Sequence, residues 1–227
     1  MSRTLLRVVV IALLLTGLLL LVLPPAPDDA TRRALLPWSV APDGRGGSIA
    51  FGLALGEATL ADAEARLGEA EVTLFRRADG TLAVEAFLDD VRPAGLLADF
   101  VLTIDLPQAA LSPMYERGLR IARGTEGVSR VDLDPADLPA VRAAPVAAIT
   151  YLPAVDLDPE VVETRFGEPR TRVNEADGVV HWLYPEKGVD VVVRDDGKEV
   201  LQYVAPRDFG RLRGPLAESP DNDWPAE

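Results

Sequence analysis

The sequence contains no cysteine, one histidine and two lysines, and aromatic residues make up only 6% of it. Without cysteine the chain can form no disulfide, thiolate nucleophile, cysteine-ligated zinc site or acylated lipoprotein anchor. A single histidine, His181, excludes multi-histidine metal centres and leaves one imidazole for acid–base work. Lysine occurs only at Lys187 and Lys198, so the basic residues are almost all arginine. They are outnumbered. The formal net charge is -13, and because Arg3 and Arg7 contribute +2 within the first 25 residues, the rest of the chain carries -15. That excess argues against binding to a phosphate backbone, which needs cations to displace counterions, and disfavours adhesion to anionic headgroups. It reads as a device for solubility, or as an acidic docking face for a basic partner.

What the chain does have is one long apolar block. Residues 8–23 carry no charge, and with Leu5 and Leu6 the stretch approaches the ~20 residues that span hydrocarbon. A cleaved signal peptide is the rival reading, but cleavage after Ala26 would leave Pro27 at the mature terminus. We expect residues 1–25 to be an uncleaved signal anchor, a transmembrane helix meeting the bilayer through residues 5–23. Arg3 and Arg7 then keep the N-terminus cytoplasmic, which implies an inner-membrane, single-pass protein with its bulk in the periplasm. Residues 26–48, rich in Pro and Gly, read as a stiff spacer. Within it Leu35, Leu36, Pro37 and Trp38 suit either the membrane interface or packing on the folded domain.

The remainder reads as α+β: two related modules, each a short helix packed on an antiparallel β-meander. The first spans 49–145 and carries an insertion, the second spans 146–210, and 211–227 form an acidic flexible tail. In the first, residues 49–55 read as a strand and Thr59 as a helix N-cap with Asp62 three residues on, near a capping box. Gly68 ends that helix, and strands over 72–76 and 82–87 flank Ala78-Asp79-Gly80. Another strand covers 100–105. Ser112-Pro113 opens a short helix, 128–133 alternate, and Asp134-Pro135 start a helical turn. The grouping of Asp132, Asp134 and Asp137 lacks the glycine and register of a calcium loop. In the second module 149–152 form a strand. Asp158 caps a helix with Pro159 at its first position, and Gly167 stops it. Strands then follow over 172–175, 179–184, 189–194 and 199–204. Thr59, Leu67 and Gly68 superpose on Asp158, Phe166 and Gly167 at a constant offset, which suggests a duplication.

The second break carries a family resemblance. A short helix ending Arg165-Phe166-Gly167-Glu168-Pro169, followed by a strand reading His181-Trp182-Leu183-Tyr184, resembles the SmpA/OmlA (BamE-like) domain. The matching residues are Phe166, Gly167, Pro169, Trp182 and Tyr184, and the likeness covers roughly residues 155–204. A tandem of such units is similar to the beta-lactamase inhibitor proteins. The resemblance implies a fold, an envelope setting and protein binding. It implies no reaction, and the missing lipobox cysteine departs from the outer-membrane role of that family.

No catalytic constellation stands out. His181 lies on a strand with no Gly-x-Ser-x-Gly elbow in the chain, and the acidic pairs fall in turns and the tail. Neither a metal nor a cofactor is implied. The candidate binding residues are those of the sheet face: His181, Trp182, Tyr184 and Tyr203. Thr59, Gly68, Asp158, Phe166, Gly167 and Pro169 are read as structural. The expected function is noncatalytic protein recognition or scaffolding with an unknown envelope protein. Alternatives are a periplasmic hydrolase using His181 with nearby carboxylates, and a cleaved, secreted inhibitor-like binder.

Overall fold

Short apolar segments separated by glycine and aspartate turns join edge to edge into two antiparallel sheets, one small and one large. The computed structural model describes residues 28–217, apart from 125, 126, 176, 177, 195, 196 and 198. A small sheet comes first: β1 (Ala41–Pro42), β2 (Ser48–Ala50) and β3 (Leu53–Ala54). The large sheet has ten strands. These are β4 (Glu71–Arg76), β5 (Leu82–Val91), β6 (Ala98–Ile104), β7 (Arg120–Arg123), β8 (Ser129–Asp132), β9 (Val146–Pro153), β10 (Thr171–Asn174), β11 (Val180–Tyr184), β12 (Val189–Val193) and β13 (Val200–Val204). Their spatial order is β10-β11-β12-β13-β9-β6-β5-β4-β8-β7. The helices are α1 (Asp29–Ala34), α2 (Leu60–Leu67), α3 (Gln108–Arg117), α4 (Leu138–Arg142), α5 (Pro159–Phe166) and α6 (Gly210–Ala217).

The α+β class and the meanders are present, but the two modules do not have separate sheets. Strand β9 pairs with β13 on one side and β6 on the other, so both halves share one sheet. The expected transmembrane helix is corrected: no helix among the described residues is long and apolar enough to cross a membrane. The expectation was placed on residues 5–23, which lie outside the described residues.

Alternation along the strands gives the sheet two different faces. One face carries Leu74, Val84, Ala86, Phe100, Leu102, Ile149, Tyr151, Leu201 and Tyr203, all buried in the main core. Helices α2, α3 and α5 contribute Leu60, Leu111, Met114 and Phe166 to the same cluster. The other face is covered only over its second half, where Phe209 and, from α6, Leu216 pack on Val173, Leu183 and Val204.

Residues 49–55 form a hairpin instead of one strand. Phe51 and Gly52 turn it, with φ of 52° and 72°, the positive pair that a tight I′ hairpin needs. A bulky residue rarely takes that conformation. Here it drives the Phe51 ring into the middle of the main core, fully buried, 4.9 Å from the Phe100 ring, 5.3 Å from Tyr151 and 5.2 Å from Tyr203. Aromatic contacts at these distances add to the area they bury.

The segment read as a spacer is docked on the domain from residue 28 onward. Asp28 caps α1, Leu35, Trp38 and Val40 pack against the core, and the Tyr203 hydroxyl donates to the Pro37 carbonyl at 3.0 Å. Trp38 also lies under the Arg165 guanidinium at 4.7 Å. The expected tail is likewise shortened: Phe209, Leu212 and Leu216 recur at i, i+3 and i+7, and α6 buries that stripe on the sheet. Helix α3 begins at Gln108 and not at Ser112, whose hydroxyl donates back to the Gln108 carbonyl at 2.8 Å. The Gln108 amide fixes that earlier start by bonding both the N–H and the carbonyl of Leu82.

Candidate recognition face

The predicted sheet-face residues fall on opposite sides of the sheet. Trp182, Tyr184 and Tyr203 point toward the helices and are 7%, 3% and 1% exposed. They form core, so the exposed surface is built from other residues. Burial pushes the Tyr184 hydroxyl up to about 12 and the Tyr203 hydroxyl well above its ordinary value, which keeps both as neutral donors. Tyr184 donates to the Gly167 carbonyl at 2.9 Å, and its ring lies 5.7 Å from Phe166. Lys187 donates to the Phe166 carbonyl. Trp182 packs beneath the Arg172 guanidinium at 4.4 Å.

These contacts explain the helix break. Gly167 has φ 85° and ψ -173°, and Gly68 has φ 115° and ψ 172°. Both lie in a region open only to glycine, and each amide closes its helix by donating to the residue four back. Pro169 is buried just beyond. Thr59 and Asp62 form a full capping box, Thr59 N–H donating to Asp62 Oδ2 at 2.9 Å and Asp62 N–H to Thr59 Oγ1 at 3.2 Å. Asp158 stands at the N-cap of α5 but its side chain makes no capping bond, leaving Pro159 to set the start.

His181 faces the other way, under the side of the sheet that α6 covers. Its Nδ1 lies 2.7 Å from Asp190 Oδ2 and its Nε2 lies 3.3 Å from Glu175 Oε2. Desolvation acts to lower its pKa, but the hydrogen bonds and charges of Asp190 and then Glu175 outweigh it and leave it raised. Asp190 is 1% exposed and burial pushes it up, against the opposing pull of His181. With a carboxylate at each ring nitrogen, the imidazole is held as a buried ion-pair partner and not aimed at a nucleophile. The sequence carried one signal of this: Asp190 interrupts the valines of β12, a lone acid where a central strand demands a partner.

The uncovered half of that same face is the open surface of the molecule. Register places Glu71, Thr73 and Phe75 of β4 beside Phe87, Glu85 and Ala83 of β5, and Val101 and Thr103 of β6 beside Phe87 and Glu85. Glu71, Thr73, Phe75, Glu85, Phe87, Val101 and Arg130 line a cleft of about 370 Å³. Phe87 is 38% exposed at its centre. At one end β5 bulges between Leu88 and Val91, with Asp90 at φ 53°, and the carboxylates of Asp89, Asp90 and Asp99 converge within 4.8 Å of one another. Desolvation, then the charges of Asp90 and Asp99, push Asp89 upward. Asp132, Asp134 and Asp137 do not converge. Asp137 pairs with Arg117 at 2.6 Å, and Asp134 accepts from the Ala136 amide.

Compared with protein-family models, curated proteins and solved structures, the chain matches none. The reading of the face therefore rests on its own geometry.

Proposed function

We propose that this protein is a noncatalytic recognition module that binds a partner protein across the open half of its sheet, in the cell envelope. The observation that carries the reading is the asymmetry of one sheet face. Over β10–β13 that face is closed by α6, while over β4–β6 it presents Phe87, half-buried Phe75 and Val101, and a row of polar side chains to solvent. An exposed aromatic centred in a polar-rimmed cleft has the composition of a protein-binding surface. His181, the only imidazole, is engaged on both sides by carboxylates, which favours recognition over hydrolysis. The envelope setting draws its support from the basic, apolar N-terminus and from the resemblance to the SmpA/OmlA domain. The test is a photo-crosslinking residue at position 87 in growing cells. A discrete adduct from position 87, absent from an exposed helix position such as Glu160, supports the proposal. Equal labelling at both positions contradicts it, and fractionation of the same cells tests the setting.

A further inference from the structure

We infer that the partner presents a basic segment to this face, with an arginine or lysine seated over Phe87 between Glu85 and the aspartates of the β5 bulge. This rests on the recognition reading above and adds the chemistry of the partner. Three observations on the same face support it.

The first is an arrangement the protein makes with itself. On β4, Glu71 and Phe75 are engaged by Arg130, whose guanidinium lies 3.5 Å from the Glu71 carboxylate and 5.8 Å above the Phe75 ring. A guanidinium over an aromatic face beside a carboxylate is favourable on both counts. On the next strand Glu85 and Phe87 present the same pair of groups to the same cleft, and among the described residues neither is engaged by an arginine or lysine.

The second is charge. Along β5 and β6 this face carries Glu85, Asp89 and Asp99, with Asp90 at the bulge, and no arginine or lysine among the described residues forms an ion pair with any of them. The three aspartates crowd one another, so a partner's cation relieves a repulsion that the chain leaves standing. The third is shape. Phe87 and Val101 offer an apolar floor between the acids, suited to the aliphatic stem of a long basic side chain whose head reaches the carboxylates. An acidic partner meets none of these features.

The experiment is a fluorescence-anisotropy titration of the purified full-length chain in nonionic detergent. The probe is a fluorescein-labelled nine-residue peptide alternating arginine and leucine, with a glutamate–leucine peptide of the same length as control. The arginine peptide is expected to bind and the glutamate peptide not to bind. The Glu85→Gln/Asp89→Asn double variant is expected to weaken binding about fivefold or more, and Phe87→Ala by a similar factor. The Glu116→Gln/Glu160→Gln variant, which removes the same charge from the helices, is expected to leave binding within about twofold. All these sites are on the surface, and an unchanged melting curve confirms that each variant folds. Equal weakening by the two charge-removing variants overturns the inference, because it reduces binding to net charge. So does equal binding of both peptides. Calcium that binds at the aspartates with the arginine peptide unbound also overturns it, by assigning them to a metal. If the arginine peptide fails while position 87 still crosslinks a partner in cells, the basic class falls and the recognition reading stands. If position 87 crosslinks nothing specific, the recognition reading falls as well.

Discussion

His181 Nδ1 sits 2.7 Å from Asp190 Oδ2, a diagonal pair across β11 and β12 beneath the α6 side of the sheet. Because the neighbouring carboxylates raise the histidine's pKa despite its burial, the native state holds this proton more tightly than the unfolded chain does. The resulting stabilisation is complete below the unfolded value of about 6.5 and is lost as pH rises through the higher folded value. The upward shift of Asp190 acts in the same sense. Thermal melts should therefore show the melting temperature falling as pH rises above about 6.5, with a flatter dependence in His181→Gln. A variant as steep as wild type would remove His181 from the account.

The same pair predicts a coupling. His181→Leu leaves Asp190 buried without its cation, and near pH 6 should cost about 3 kcal/mol or more. Adding Asp190→Val should recover most of that loss, because well-packed apolar residues replace a buried pair at little cost. Denaturant unfolding of the four proteins of the cycle gives the coupling, and additive losses would contradict it.

The two helix-ending glycines should be intolerant in the same manner. At Gly68 and Gly167 a Cβ meets nothing within 4 Å, so any loss on substitution is conformational. Gly68→Ala and Gly167→Ala should each cost about 1–3 kcal/mol. Asparagine, which relieves strain where φ and ψ are left-handed helical, should not rescue either position, since ψ is near 180° at both. Recovery by asparagine would show a different backbone geometry.

Phe51 joins the small hairpin to the large sheet. Phe51→Ala should cost about 3–5 kcal/mol through cavity formation beside Phe100, Tyr151 and Tyr203. Tyr203→Phe removes only the bond to the Pro37 carbonyl and should cost about 1 kcal/mol. It should also expose the segment around Pro37 and Trp38 to faster amide exchange, which mass spectrometry measures.

Much of this fold was legible in sequence because turn chemistry is local. The Thr59–Asp62 box, the stops at Gly68 and Gly167, and the strands of both meanders follow from residues within a few positions of one another. What was not legible depends on long-range contact. Residues 49–55 alternate well enough for a strand, yet Phe51 accepts a positive φ because its ring is buried by three distant aromatics. Trp182 and Tyr184 read more readily as core than as an exposed platform, and the placement of α5 decides for core. The open face was hidden for a related reason. Glu71, Thr73, Glu85 and Phe87 gain meaning only once β4 and β5 are in register and α6 is known to cover the other half.

The most direct test of the central claim uses the partner crosslinked from position 87, identified by mass spectrometry and purified. Its affinity for the full-length chain is compared with that for Phe87→Ala. We predict about tenfold weaker binding for the variant, with an unchanged melting temperature, as for an anchor at the centre of an interface. Unchanged affinity would contradict the claim that the open half of the sheet is where this protein works.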